Sequence, residues 1–270
     1  MERPAWAPQG IDISVPSVSR IYDYYLGGSH NFEVDREAAR KAMEFMPGLP
    51  TIMKANRAFM RRAVEFALAD GVDQFLDIGS GIPTYGNVHE VAHAVDPAAR
   101  VLYVDHDPVA VAHSQAVLAG VGHAAVVSAD LRKPDTILGS REAAGLLDLE
   151  RPVALFLVAV LHFLEDADDP YGAVAELRDA LAPGSLIVLT HASYEGLPVP
   201  REQAGGAVGV YRTIRNPLVM RSREETARFF DGFEMVEPGL VAMPDWRPDS
   251  PADQEDPYAF SGFAGVGRKA

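Results

Sequence analysis

The sequence predicts an α/β fold: a Rossmann-like, mostly parallel sheet with helices on both faces. Three observations carry that prediction. From Gln74 to His191, short apolar runs alternate with helical patterns, the signature of repeated βαβ units. The run VALFLVAV, Val153 to Val160, is apolar at nearly every position, as suits a strand covered on both faces. Two further apolar runs, FLDIGSGIP (75–83) and VLYVDHDP (101–108), end in glycines and carboxylates where strands of such a sheet deliver their ligand-binding loops.

Three helical patterns precede the alternating region. Ser17–Leu26 ends at Gly27-Gly28, Glu33–Phe45 follows, and Ile52–Ala69 is closed by Asp70-Gly71. Strands are expected at Gln74–Ile78, Arg100–Asp105, Ala124–Ser128, Val153–Val160 and Ser185–Thr190. Helices are expected at Tyr85–Val95, Pro108–Ala119, Ser140–Leu147 and Pro170–Leu181. Pro108 suits a first helical turn, and Pro183-Gly184 stops the fourth of these helices. Ser222-Arg-Glu-Glu225 has the spacing of a capping box and opens a helix to Phe230. Phe233–Val241 and Ala259–Arg268 read as closing strands, with a Pro- and Asp-rich loop from Met243 to Pro257 between them. One domain is expected: residues 1–72 a helical cap and lid, 73–192 a nucleoside-binding core, and 193–270 an acceptor-side loop, helix and closing strands.

Composition limits the functions open to it. The chain has 270 residues, enough to bury a large core without a metal or disulfide. It has no cysteine, which excludes disulfides, zinc–thiolate sites and cysteine nucleophiles. A formal charge of −14 argues against nucleic acid as a partner, because phosphate neutralisation needs a basic footprint. The basic clusters are small: Arg57 with Arg61 and Arg62, Arg212 with Arg215, and Arg221 with Arg223. The start carries no apolar signal region and no apolar run reaches membrane-spanning length, so a soluble, cytoplasmic protein with no membrane partner is expected.

The glycine loop separates two cofactor classes. A dinucleotide fold places a third glycine three residues after the second, letting a helix N-terminus meet a pyrophosphate. Here that position is Thr84. S-adenosylmethionine has no phosphate and needs only a bare backbone patch, which Gly79, Ser80 and Gly81 supply. Asp77 can hold the loop or reach the cofactor's amino group. Asp105, 28 positions on, can accept both ribose hydroxyls, with His106 beside it. Asp107 reads first as the cap of the next helix. Asp130, followed by Leu131, stands after the third strand, where a carboxylate can accept an adenine amine or simply form a turn.

With these residues in place, the chain resembles the class I S-adenosylmethionine-dependent methyltransferases: DIGSG as glycine loop, VDHDP as ribose acid, SADLR as adenine acid, LFLVAVLHFL as fourth strand. More narrowly it resembles an actinobacterial methyltransferase family long described as of unknown function. That likeness adds SVSRIYDYYLGGSHNFEVDRE, IMKANRAFMRRAVEFA, RSREETARFFDGFEMVEPGLV and GVGRK, and covers nearly the whole chain. The resemblance implies a seven-stranded sheet with its last strand antiparallel and S-adenosylmethionine as cofactor. It implies no acceptor.

The remaining candidates each carry two readings. Tyr22 and Tyr25 share one helix face and can surround a sulfonium by cation–π attraction, or pack the helix on the sheet. Gly27 and Gly28 can let a lid bend over the ligand. Arg57 can clamp the cofactor carboxylate. His162 follows the fourth strand and can act as general base, or as a structural histidine. His191 follows the fifth strand and, with Tyr194, Tyr211 and Arg212, can complete an acceptor pocket for a small molecule. His89-Glu90-Val91-Ala92-His93 spells a zinc-helix motif, but no third ligand stands downstream, and no metal is expected. A non-catalytic cofactor-binding regulator and a nicotinamide oxidoreductase are the alternatives to methyl transfer.

Overall fold

Strands β1 (Gln74–Ile78), β2 (Arg100–Asp105), β3 (Ala124–Ser128), β4 (Ala154–Leu157) and β5 (Leu186–His191) are parallel, and β6 (Phe233–Met235) and β7 (Phe263–Lys269) complete one seven-stranded sheet. In the computed structural model, which describes residues 11–84, 86–214 and 217–270, the strand order is β3-β2-β1-β4-β5-β7-β6. β7 runs antiparallel to both neighbours. Among the described residues no helix is long and apolar enough to cross a membrane.

Alternation along the strands sends side chains to two cores. Phe75, Val101, Tyr103, Phe156 and Val188 pack on one face with Phe59, Met60, Ala63 and Val64. Leu76, Ile78, Leu102, Leu155 and Leu157 pack on the other with Val174, Leu177 and Phe229. The helices in chain order are α1 (Val18–Tyr25), α2 (Glu33–Phe45), α3 (Leu49–Ala69), α4 (Val88–Val95), α5 (Pro108–Val117), α6 (Pro134–Leu138), α7 (Arg141–Leu146), α8 (Pro170–Ala180), α9 (Arg201–Tyr211) and α10 (Arg223–Ala227).

Four expectations need correction. The helix expected from Tyr85 starts at Val88, where Asn87 and Glu90 form a capping box; Tyr85 itself lies outside the described residues. The fourth strand ends at Leu157, because Ala159 turns into the left-handed region at φ 57° and the chain then winds into a short 3₁₀ turn, Leu161–Phe163. The stretch after β5 is not all loop: it holds α9, an amphipathic helix burying Ala204, Ala207, Val208 and Tyr211. Both closing strands are shorter than expected, and the segment between them carries 3₁₀ turns around a fully buried Trp246.

The N-terminal helix α1 is fastened to the sheet at both ends. Ser17 Oγ donates to Asp107, the side chain that caps α5. At the other end Asp23, 1% exposed, accepts from Thr84 Oγ1 at 2.6 Å, from His30 N at 2.9 Å and from Asn31 Nδ2 at 2.8 Å. The strand order reverses between β1 and β4, and the crevice beyond their carboxyl ends is roofed by α1.

Candidate active site

Two cavities lie side by side in that crevice. The first is bordered by Asp77, Gly79, Ser80, Gly81, Asp105 and His106 from the sheet side, and by Tyr22, Asn56 and Arg57 from α1 and α3. A shallower recess continues from it past His106 to Asp130, Leu131 and Arg132. The second lies over β5 and is walled by α1, α3 and α9. Both cavities touch Tyr22, Asn56, Ala159 and Phe163.

The glycine loop is built for close approach. Gly79 and Gly81 have φ of 74° and 68°, a conformation costly for any residue with a Cβ, and a Cβ on Gly79 would stand 2.4 Å from Val160 Cγ2. Asp105, 3% exposed, organises this loop. It accepts Gly81 N–H at 2.8 Å on one oxygen and Asp107 N–H at 2.8 Å on the other. Burial pushes its carboxyl up, against these two amides. Each oxygen keeps a further acceptor position.

Asp77 stands otherwise. It is buried and bordered by the cavity, and no described residue donates a hydrogen bond to it. Burial pushes its carboxyl up to about 7, the Arg57 guanidinium offsetting part of the rise and Asp105 adding to it. Ser80 Oγ is buried at the same cavity with no hydrogen-bond partner among the described residues. A carboxylate awaiting a cation, an orphaned hydroxyl and the half-buried Arg57 suit a zwitterionic amino-acid group. Arg57 also reaches Asn87 Oδ1 at 3.3 Å. The residues therefore fit S-adenosylmethionine.

Between the cavities runs a hydrogen-bonded wall. Ala159 N donates to Thr190 Oγ1 at 2.8 Å, Thr190 Oγ1 to Asn56 Oδ1 at 2.7 Å, and Asn56 Nδ2 to Tyr22 Oη at 2.9 Å. Asn56 and Thr190 were invisible to motif reading, since a lone amide and a lone threonine carry no spacing signal. The left-handed Ala159 could not be read from VALFLVAV at all.

The histidines differ in their commitments. His191 Nδ1 donates to Ala192 O at 2.8 Å, so its Nε2 is the acceptor, and Arg221 donates to it at 3.1 Å. Burial brings its pKa down to about 4. Both nitrogens are thus taken, although the ring borders the second cavity. His162, 9% exposed, accepts Ala192 N–H at Nδ1 over 3.3 Å. Burial, then the nearby His191 and Arg221, depress its pKa well below the ordinary value.

Other sequence-derived candidates sit as follows. Tyr22 borders both cavities and Tyr25 the second only. Tyr211 also lines the second, its hydroxyl 3.2 Å from that of Tyr25, and burial raises its pKa to about 12. Gly27 and Gly28 line neither cavity. Gly27 is an exposed left-handed turn, and Gly28 leaves room for the buried Asp23, whose Oδ1 would lie 2.0 Å from a Cβ there. Tyr194 is half-buried under the Arg201 guanidinium, 4.4 Å from its ring centre, and Arg212 is exposed at the end of α9; neither borders a cavity. Asp130 is held by Arg132, whose Nε donates to Oδ1 at 3.0 Å and whose Nη2 donates to Oδ2 at 2.6 Å, so both its oxygens are occupied. His89 Nδ1 is 2.7 Å from Tyr103 Oη and His93 Nε2 donates to Ala99 O at 2.9 Å; among the described residues no three metal-binding side chains are gathered.

Comparison with known proteins agrees with this geometry. A family model described as S-adenosyl methyltransferase matches residues 4–270. The crystal structure of a DUF574 family protein from Streptomyces avermitilis is 40% identical, with a TM-score of 0.90, over 96% of this chain and 99% of that one. A candidate methyltransferase from Thermobifida fusca is 42% identical, with a TM-score of 0.91, over 98% of this chain and 99% of that one. No curated protein matches the chain. Fold, cavity and these likenesses agree: the chain belongs to the S-adenosyl methyltransferase family, with S-adenosylmethionine as its cofactor.

Proposed function

We propose that the chain transfers the cofactor's methyl group to a small-molecule acceptor held in the second cavity, by in-line displacement where the two cavities meet beside Tyr22, Asn56 and Ala159. The observation that carries this reading is the pair of cavities meeting along one hydrogen-bonded wall, the first furnished with carboxylates and bare glycine backbone, the second largely apolar. S-adenosylmethionine supplies a methyl already activated on a sulfonium. What the protein adds is alignment and exclusion of water, and alignment alone can contribute roughly 7–11 kcal/mol.

In this reading Asp105 accepts the ribose hydroxyls on its spare lone pairs, while Gly81 and Asp107 fix its orientation. Asp77 and Arg57 hold the ammonium and carboxylate of the methionyl end. His106 and Leu131 border the base, with Asp130 turned to it only if Arg132 yields. Tyr22 offers a π face to the sulfonium, worth roughly 0.5–2 kcal/mol.

The test is calorimetric titration of Asp105→Ala with S-adenosylmethionine. Affinity should fall roughly 10–100-fold, the worth of charge-assisted hydrogen bonds to a buried carboxylate. Unchanged affinity in a folded variant would remove the ribose assignment.

A further inference from the structure

Among the described residues, the wall of the second cavity carries no aspartate, glutamate, lysine or arginine. Met46, Leu49, Met53, Val208, Leu218 and Met220 are typical of it. Such a chamber disfavours peptides, nucleotides and sugar acids, whose several charged and polar groups would outnumber the few polar atoms in an apolar wall. It accepts a largely apolar or aromatic body, and the methionines let it adapt to shape.

The few polar groups in the chamber define the reacting end. His162 Nδ1 is occupied as an acceptor by Ala192 N–H. A neutral imidazole with Nδ1 accepting carries its proton on Nε2. That Nε2–H has no hydrogen-bond partner among the described residues, and the ring borders the chamber. His162 therefore presents a donor and has no free lone pair with which to take a proton. Ser261 Oγ, also at the chamber wall, is buried without a partner. Behind these groups Arg221, 3% exposed, holds the His162 turn in place through Leu161 O at 3.2 Å and Leu164 O at 3.1 Å, and bonds His191 Nε2. Its guanidinium puts a positive charge under the chamber floor; among the described residues its ion pair is with the largely exposed Asp166, and the Glu225 carboxylate also lies within its field.

Building on the proposed methyl transfer, we propose that the acceptor is an apolar molecule bearing an acidic hydroxyl, a phenol or enol, that binds as its oxyanion with the His162 Nε2–H donating to that oxygen. The hydroxyl proton is lost to solvent before transfer. An oxygen lone pair then forms the bond to the methyl carbon, the carbon–sulfur pair remains on sulfur, and negative oxygen and positive sulfonium become a neutral ether and a neutral thioether. No general base is required in the chamber. The donor, the buried arginine and the sulfonium itself all favour the anion over the neutral hydroxyl. An amine acceptor would find the opposite: a donor facing its own donors, and a cation behind them.

The experiment uses 7-hydroxycoumarin, whose ionisation is read by absorbance, with the whole protein saturated by sinefungin, a cationic cofactor analogue that cannot transfer a methyl. The bound probe should ionise at a pH at least one unit below that of free 7-hydroxycoumarin. It should also bind at least tenfold more tightly than 7-aminocoumarin. His162→Ala should abolish most of the shift, whereas His162→Gln, which keeps an N–H in place, should retain part of it. An unshifted or raised ionisation pH, equal or tighter binding of the amine, or no binding of the phenol would each overturn the proposal. So would equal loss in the alanine and glutamine variants, the pattern of a lost base. Binding of sinefungin is measured separately on the same protein, so its failure would strike the cofactor cavity and the methyl-transfer reading rather than the acceptor class.

Discussion

A buried carboxylate without a donor costs stability in the free protein, and Asp77 is such a group. Its pKa near 7, against an ordinary 3.8, means that the folded protein retains a proton there that the unfolded chain releases. Between about pH 4 and 7 folding is therefore penalised increasingly as pH rises, and the penalty is complete above about 7. In the proposed binding mode the ammonium of S-adenosylmethionine pairs with the ionised form, so cofactor affinity should rise as pH passes upward through about 7. Asp77→Asn should separate the two effects. At pH 8 the free variant should be more stable by roughly 1–3 kcal/mol, since a buried charge that Arg57 only partly offsets is gone. Its cofactor affinity should fall roughly 10–100-fold. Thermal melts and calorimetry at pH 6 and pH 8 read both. A variant that is less stable at pH 8, or that binds as the wild type does, would contradict this role.

At the scale of the element, α9 shows how packing overrides propensity. Gly205, Gly206 and Gly209 weaken it as a sequence signal, because each glycine in a helix costs about 1 kcal/mol relative to alanine. Gly206 is nonetheless required by the crossing with α2, since a Cβ there would stand 2.2 Å from the Phe45 ring. Gly205 has open space around its would-be Cβ. Gly205→Ala should thus stabilise the protein by up to about 1 kcal/mol, and Gly206→Ala should destabilise it by roughly 1–2 kcal/mol despite the better helix former. Urea melts of the two single variants decide it; changes of the same sign would mean that the crossing is not what the glycine serves. The same contrast explains what could be read beforehand. β1, β2 and β3 were legible to the residue because short apolar runs, closed by Gly79, Asp105 and the turn at Asp130, mark them locally. So was the position of Asp77, Asp105 and the glycine loop at the crevice, which each takes from a single strand end. α9, the turn at Ala159 and the Asn56–Thr190 wall depend on contacts between segments far apart in sequence, which no local pattern records. Gly27-Gly28 misled for the converse reason: Gly28 makes room for Asp23, which anchors α1 to Thr84, the residue standing where a dinucleotide fold has glycine.

For the whole molecule, the cavities exist only because remote segments are held together. α3 contributes Asn56 and Arg57 to the site, and its far side is tied to the C-terminal region by Arg62, which donates to Met243 O at 2.8 Å and Trp246 O at 2.9 Å. Met243 itself borders the second cavity. Trp246 is the bolt of this attachment, fully buried and edge-on to Phe59 at 5.3 Å and Phe66 at 5.8 Å. Its indole Nε1 is buried with no partner among the described residues, so volume and ring contact are what it contributes. Trp246→Ala should cost roughly 3–5 kcal/mol, a large part of the 5–15 kcal/mol typical of a folded domain. Trp246→Phe keeps most of the ring contact and removes an unsatisfied N–H, so it should cost about 1–2 kcal/mol. Saturating S-adenosylmethionine, at about 100 times its Kd, should return about 2.7 kcal/mol to either variant, because the ligand binds only the assembled fold. Urea midpoints with and without the cofactor measure all three quantities. Equal losses for alanine and phenylalanine would mean that something other than filled volume joins the C-terminal segment to α3, and a cofactor that failed to raise the alanine variant's midpoint would mean that the cavity no longer forms without that bolt.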